Sequence, residues 1–146
     1  MNDHKQSLGF LTGLTSRLFN KLLARRFQEQ GIEMTAEQWG VIVTLLNGEA
    51  MTQGEISDAL YLEKSTVSRS IDGLEKKGWI TRQKDVVDSR KKRVMLTDKA
   101  HEIATVCSEI ASGVLSDAHK GLEEQQIKES RARLTMIAET LRELNE

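Results

Sequence analysis

The residues best suited to chemistry in this chain lie between Lys64 and Lys92, and the chemistry they suit is nucleic-acid recognition rather than catalysis. Lys64, Ser65, Thr66, Ser68 and Arg69 crowd into one short stretch. Short hydroxyls and cations of this kind read base edges in a major groove. Downstream, Arg90, Lys91 and Lys92 follow Asp88 closely. A guanidinium such as that of Arg90 suits the narrow minor groove of an A·T tract. A carboxylate beside phosphates is unfavourable unless paired, so Asp88 is assigned to the shape of its loop and Arg90 to DNA. The alternative for Arg90 is that it merely pairs with Asp88. From Lys64 to Arg93 there are ten Lys and Arg against four Asp and Glu, a net of +6, within a chain of formal charge −1. Salt confines each charge to roughly 10 Å, so phosphates respond to this local cluster and not to the balance of the whole chain. The competing reading is a solvated helix face and hairpin.

Other candidates for chemistry are sparse. The sequence has no Gly-rich phosphate loop and no paired-His metal spacing. His101 and His119 fall in one expected helix, on the order of 27 Å apart at 1.5 Å per residue, too far to share an ion within one chain. The single cysteine, Cys107, excludes an intrachain disulfide. Amid Ile103, Val106 and Ile110 it reads as a small core hydrophobe. No enzyme activity, metal or cofactor is therefore expected. No apolar run approaches the ~20 residues that span a bilayer, and the N-terminus lacks an apolar signal core. No membrane partner is expected either.

These residues need elements to position them, and apolar spacing supplies the outline. Val67, Ile71 and Leu74 recur at intervals of four and three, giving the helix that carries Lys64 to Arg69 a single buried stripe. Ile56, Ala59 and Leu60 do the same for a shorter helix before it. Thr35-Ala-Glu-Gln38 fits a capping box, and Thr52-Gln-Gly-Glu55 repeats the pattern. Between them Trp39, Val41, Ile42, Val43, Leu45 and Leu46 make a helix apolar nearly all round, the expected buried support. After Gly78, the segments 79–84 and 92–96 alternate as strands of a hairpin whose tip is 85–91. Ala50 and Met51 are placed to add a short third strand. With no proline in the chain, Gly31, Gly48, Gly78 and Gly121 are the expected connectors.

The ends of the chain are helical as well. In a first helix over 7–30, Leu11, Leu14, Leu18 and Leu22 form one stripe and Phe19, Leu23 and Phe27 another. Two stripes require two packing partners. The helix is either the centre of a monomeric bundle or a layer between a partner subunit and the chain's own recognition region. A fifth helix, capped by Thr97 or Asp98, carries Ile103, Val106, Cys107, Ile110, Val114 and Leu115. In the last helix Ile127, Leu134 and Leu141 repeat every seven residues, with Ile137 and Leu144 three residues after the last two. That spacing makes a seam for another helix.

The run Leu60, Ser65-Thr66-Val67-Ser68-Arg69, Leu74-Glu75-Lys76-Lys77-Gly78-Trp79-Ile80, Asp85, Asp88-Ser89-Arg90 and Leu96-Thr97 resembles the MarR family of winged helix-turn-helix transcription regulators. Asp-x-Arg at the wing followed by Leu-Thr is its more diagnostic part. Tyr61 departs from the family by standing where Gly is frequent in the helix-helix turn, and Ala100 by replacing a frequent Gly after Leu-Thr.

The resemblance implies a mainly α fold: a winged helix-turn-helix with a two-stranded β wing, a possible third strand, and a helical dimerisation lobe from the N- and C-terminal helices. Residues 35–97 would bind DNA, and 1–34 with 98–146 would dimerise. It further implies a cytoplasmic homodimer on a pseudo-palindromic operator in double-stranded DNA, repressing transcription until a small aromatic or anionic effector releases it. The effector cleft would draw on Leu14, Arg17 and Leu18, Trp39 and Val43, and Ile103, with Arg17 pairing the charge and Trp39 stacking. Alternatively Trp39 is plain core and Arg17 pairs at the surface. Rival readings are a winged helix that contacts protein and not DNA, and a constitutive or redox-controlled regulator. Peroxide-sensing relatives place their cysteine in the first helix, where this sequence has none.

Overall fold

A computed structural model describes residues 3–146. The chain divides into two compact units, one ending at Ala111 and the other comprising Ser112–Glu146. After a 3₁₀ turn at His4–Gln6 the first unit runs α1 (Leu8–Glu29), α2 (Ala36–Leu45), β1 (Met51–Thr52), α3 (Gln53–Leu60), α4 (Lys64–Lys76), β2 (Ile80–Lys84), β3 (Lys92–Leu96) and the start of α5 (Asp98–Ala118). The second unit holds the end of α5 and α6 (Glu124–Leu144).

Local signals set the helix starts. The Thr35 hydroxyl accepts from Gln38 N at 3.0 Å while Gln38 Oε1 accepts from Thr35 N at 3.0 Å, a complete capping box. At α3 only half of the expected box forms. Thr52 Oγ1 accepts from Glu55 N, but the Glu55 carboxylate lies 3.6 Å from Arg93 instead of folding back. Thr97 caps α5 by accepting from Ala100 N at 3.2 Å, and its hydroxyl donates to the Gly78 carbonyl at 2.7 Å. One side chain thus fixes the start of α5 against the end of α4. His119 falls just past the end of α5.

The core of the first unit gathers α2, α3 and α4 under the sheet. Val67, Ile71 and Leu74 of α4 are fully buried, as their spacing predicts, and meet buried Ile56, Val41, Ile42 and Leu45 at the centre. Each such side chain contributes about 1.5–3 kcal/mol of burial. Two expectations need correcting. In α3 the buried neighbour of Ile56 is Ser57; Ala59 is exposed and Leu60 half-buried. In α2, Val43 is half exposed, because four buried apolar residues already fill the faces turned inward. On α1, Leu23 and Phe27 are buried and Phe19 half-buried, while Leu11 and Leu18 of the other stripe are exposed.

The expected third strand forms one residue later than Ala50-Met51. The sheet has the order β1-β3-β2, antiparallel throughout. Met51 pairs with Val94 and Thr52 with Arg93 on one side of β3. On its other side the hairpin register runs from Ile80 opposite Leu96 to Lys84 opposite Lys92.

The connectors behave as the glycine pattern predicts: Gly31, Gly48, Gly78 and Gly121 all have positive φ. The turn between α3 and α4 is the exception, since Tyr61 itself adopts φ 53°, ψ 46°. There Leu62 N and the capping N–H of Tyr61 both donate to the Ser57 carbonyl. A left-handed residue is what that closure requires.

In the second unit α6 starts with a reciprocal box between Glu123 and Gln126. None of its residues is buried. Among the described residues no helix is long and apolar enough to cross a membrane.

Candidate nucleic-acid interface

The proposed base-reading residues share the first half of α4, opposite the stripe that anchors it. Lys64, Ser65 and Arg69 are exposed; Thr66 and Ser68 are half-buried on the flanks. The Arg69 guanidinium rests 3.5 Å from Thr66 Oγ1, over the outer surface of the helix. Neighbours hold α4 near both ends. Gln53 Nε2 donates to the Lys64 carbonyl at 3.3 Å, and Gly73 allows α2 to come so near that an added Cβ would stand 2.6 Å from Gln38 Nε2. The helix is therefore presented by a fixed support rather than by its own rigidity.

The hairpin tip is braced by its two aspartates. Asp85 N donates to the Lys91 carbonyl at 2.9 Å and Lys91 N to the Asp88 carbonyl at 3.0 Å. Asp88 Oδ1 accepts from Arg90 N at 3.0 Å and Nε at 3.1 Å, and Oδ2 from Nη2 at 3.3 Å. The Arg90 side chain and backbone N–H, with Lys91 nearby, hold the Asp88 carboxyl below its ordinary pKa. The pairing alternative for Arg90 is thus present: it pairs with Asp88, and its side chain remains 90% exposed. Lys91 and Lys92 are exposed beside it.

Not every cation of the basic run faces outward. Arg93, counted in the basic cluster to which phosphates were expected to respond, is instead half-buried, with its guanidinium donating to the Ala50 carbonyl at 3.2 Å and to Asp85 at 3.3 Å. It ties all three edges of the wing base. Arg82 spans from β2 to α4, at 2.7 Å from Asp72 and 3.7 Å from Glu75. Lys77 donates to the Glu33 carbonyl and to Gln38 Oε1, and lies 5.1 Å from the Trp79 ring centroid. Composition alone cannot separate these three ties from the outer cations, because the separation depends on strand register and helix ends. Register also reveals a residue that composition passed over: Lys84, exposed and directly opposite Lys92.

The six residues expected to line an effector cleft do not gather in one hollow. Trp39 is buried and packs edge-on against Phe27, with centroids 6.0 Å apart at 71°, the core alternative for that residue. Arg17 is exposed and folds back along α1 over Gly13. Leu18 and Val43 are exposed and Leu14 half-buried. Ile103 lines a separate hollow of ≈ 590 Å³ with Ile32, Lys77, Trp79 and Lys99. A second hollow, ≈ 650 Å³, lies along the α1–α2 connection from Ala24 to Gln38. Cys107 is buried, and desolvation pushes its thiol up to about 11. Among the described residues no group of three or more His, Cys, Asp or Glu converges as a metal site would require.

Three helices followed by a hairpin, with the third helix exposed along its polar face and a short strand completing the sheet, define a winged helix-turn-helix protein. By sequence, residues 34–92 match the model of the MarR family. Over 84 residues it is 37% identical to the uncharacterized HTH-type transcriptional regulator YwoH of Bacillus subtilis, an alignment that covers 56% of this chain and 61% of that relative. The chain therefore spans less than two thirds of that relative's length. The crystal structure of transcriptional regulator PA3341 superposes with a TM-score of 0.78 at 29% identity, covering 92% of this chain and 98% of the other. BpsR of Bordetella bronchiseptica, solved in connection with regulation of its DNA binding by 6-hydroxynicotinic acid, shares the fold. Its TM-score is 0.83 at 17% identity, with 94% and 97% of the two chains covered.

Proposed function

We propose that this chain is a homodimeric, sequence-specific DNA-binding regulator of transcription, a repressor released by a small aromatic or anionic ligand. Lys64, Ser65, Thr66, Ser68 and Arg69 meet base edges and phosphates in the major groove. Arg90, Lys91 and Lys92, joined by Lys84, meet the flanking backbone and minor groove, with Asp88 shaping the tip. Residues 35–97 serve as the DNA-binding region, and 1–34 with 98–146 as the dimerisation region.

The observation that carries this reading is the lysine pair across the wing. Lys84 and Lys92 stand opposite each other, both exposed, and like charges directly opposed in an antiparallel pair destabilise it by up to about 1 kcal/mol. The protein alone gains nothing from that arrangement. A polyanion between or beside them converts the cost into binding, by releasing counterions from its phosphates. A protein-interaction module has no need of such a pair on its wing. The pairing of Arg93, Arg82 and Lys77 with internal partners supports the same reading, since within residues 64–93 it leaves the exposed cations on the helix and wing that a duplex would touch.

The effector is the finer part of the proposal. It is supported by the resemblance to regulators that respond to aromatic acids and by the BpsR neighbour, and the hollows at Ile32 and Lys77 offer a better location for it than the Arg17–Trp39 set. A ligand releases DNA only in proportion to its preference for the non-binding arrangement.

The test is selection of duplexes from a random pool by the purified protein, followed by binding across a salt series. Expected are a two-fold-symmetric consensus and an affinity that falls steeply with salt. Adding a panel of aromatic acids, 6-hydroxynicotinate among them, should weaken binding for at least one member. No enrichment of any duplex over the starting pool, at low salt, would end the DNA-binding reading.

A further inference from the structure

The wing tip sorts its side chains the opposite way from an ordinary surface loop. Its carboxylates turn inward: the Asp85 side chain is 11% exposed against Arg93 and Asp88 29% exposed against Arg90. Val86 and Val87, between them, are 100% and 94% exposed. Asp85 Oδ1 also accepts from Val87 N at 3.4 Å, so the bracing that hides the charge also holds the valines out. Displaying methyl groups while withdrawing carboxylates has no benefit in water, where burial of apolar surface is the favourable direction. It suits a surface that repels carboxylates and accepts methyls.

We propose that Val86 and Val87 form an apolar specificity element that seats against the deoxyribose walls of a minor groove and selects A·T pairs beneath the wing. This rests on the DNA-binding reading and names the base pairs the wing accepts. The occupant is indicated by charge. Lys84, Arg90, Lys91 and Lys92 are exposed around the tip, so it approaches a polyanion, and the groove between two phosphate rows is walled by apolar sugar edges. Guanine adds an N2 amino donor to the groove floor, which A·T pairs lack. Valine offers no acceptor to that donor, and covering it strips its water without replacement. Over A·T the floor carries acceptors only, which the adjacent Arg90 donors can satisfy. The groove is also narrower there, bringing both walls within reach of the two branched side chains.

The experiment uses the full-length protein and the duplex it selects from a random pool. Base pairs in the flanks under the wing are changed from A·T to G·C, to inosine·C, which lacks the amino group, and to diaminopurine·T, which restores it. Wild type should lose about fivefold or more on G·C and on diaminopurine·T, and should recover on inosine·C. In the double variant V86S/V87S a hydroxyl can accept from the amino group, so the preference should shrink to within about twofold. Its salt slope should not change, because no charge is removed. Its thermal midpoint should not change either, since both side chains are exposed. V86I/V87I, which keeps the branched apolar shape, should retain the preference.

Wild-type discrimination preserved in V86S/V87S, or no recovery on inosine·C, overturns the proposal while leaving the DNA-binding reading intact. Failure of wild type to select any duplex overturns both. Binding to phosphatidylglycerol vesicles that V86S/V87S loses, with duplex discrimination unaltered, would assign the valines to an anionic membrane surface and likewise overturn it.

Discussion

Tyr61 shows how a single residue can carry the cost of a turn. Its φ of 53° lies in the left-handed region, which costs an L-residue roughly 1–2 kcal/mol. The departure noticed in the sequence, Tyr where the family often has Gly, thus marks a turn that keeps its geometry while bearing strain. Comparing Tyr61→Gly with Tyr61→Ala removes the side chain in both and isolates the backbone term. The Gly variant should be the more stable of the two by about 1 kcal/mol in urea denaturation. Equal midpoints would show that the turn is not strained. Cys107 yields a second prediction at this scale. A thiol pushed from 9.0 to about 11 by burial holds about a hundredfold less thiolate at neutral pH. Alkylation of the native protein by iodoacetamide should be slower than that of the unfolded chain by at least this factor, and peroxide should leave duplex binding unchanged. Fast labelling under native conditions would revive the redox-controlled alternative. Asp88 gives a third. Its carboxyl is held low chiefly by the Arg90 side chain, so its contribution to the tip is complete above the ordinary value near 3.8 and is lost as pH falls through the lower, folded value. The wing should be fully formed at neutral pH. Carboxyl titration followed by NMR should show the Asp88 midpoint rising toward ordinary in Arg90→Ala; an unmoved midpoint would remove the pairing.

At the scale of elements, the helices that touch the core were legible and the partners of charged residues were not. Val67, Ile71 and Leu74 follow from a periodicity that burial enforces, and Thr35 with Gln38 from a cap whose donors and acceptors are local. Gly78 announced the end of α4 for the same reason. Ala59 and Val43 misled because an apolar residue beside a buried stripe looks the same in sequence whether or not a neighbour reaches it. The structure sets Ser57 inward and leaves both exposed. Arg93 misled for a different reason: its role depends on the register Thr52–Arg93 and Gln83–Arg93, which brings Ala50, Glu55 and Asp85 to it from three segments. This separates two neighbouring cations experimentally. Lys92→Ala should reduce the slope of log affinity against log salt by about one unit on any duplex. Arg93→Ala should leave that slope nearly unchanged and instead cost on the order of 1 kcal/mol of stability through its lost hydrogen bonds. On α4, Arg69→Ala should cost the selected site about 1–3 kcal/mol and random duplex much less. Equal losses on both duplexes would take Arg69 out of the base-reading set.

For the whole molecule, the apolar surface left uncovered is the physical argument for a second copy. Along α6, Leu134, Ile137, Leu141 and Leu144, the seam with heptad spacing, are all exposed. On α1, Leu11 and Leu18 of one stripe are exposed as well and Leu14 and Leu22 half-buried, while Leu23 and Phe27 of the other stripe are buried. The sequence shows that α1 has two faces, but spacing cannot tell which face the chain covers for itself. Leaving such partly exposed side chains in water forfeits roughly half of the 1.5–3 kcal/mol that full burial of each would give, still a substantial sum beside the 5–15 kcal/mol by which folded domains are stable. A homodimer that buries both sets gains that sum on association, and two recognition helices related by a twofold axis then meet half-sites about 34 Å apart, one turn of duplex. If folding and association are linked in this way, stability must depend on protomer concentration. The thermal midpoint should rise with protein concentration over two to three decades, and L134D/L141D should remove the dependence along with most operator affinity, because placing carboxylates in the seam costs far more than truncation. Sedimentation of the wild type at twice the 16.4 kDa of the chain is expected. A folded 16.4 kDa species whose midpoint is independent of concentration and whose operator affinity survives in L134D/L141D would show that the exposed seam serves something other than self-association.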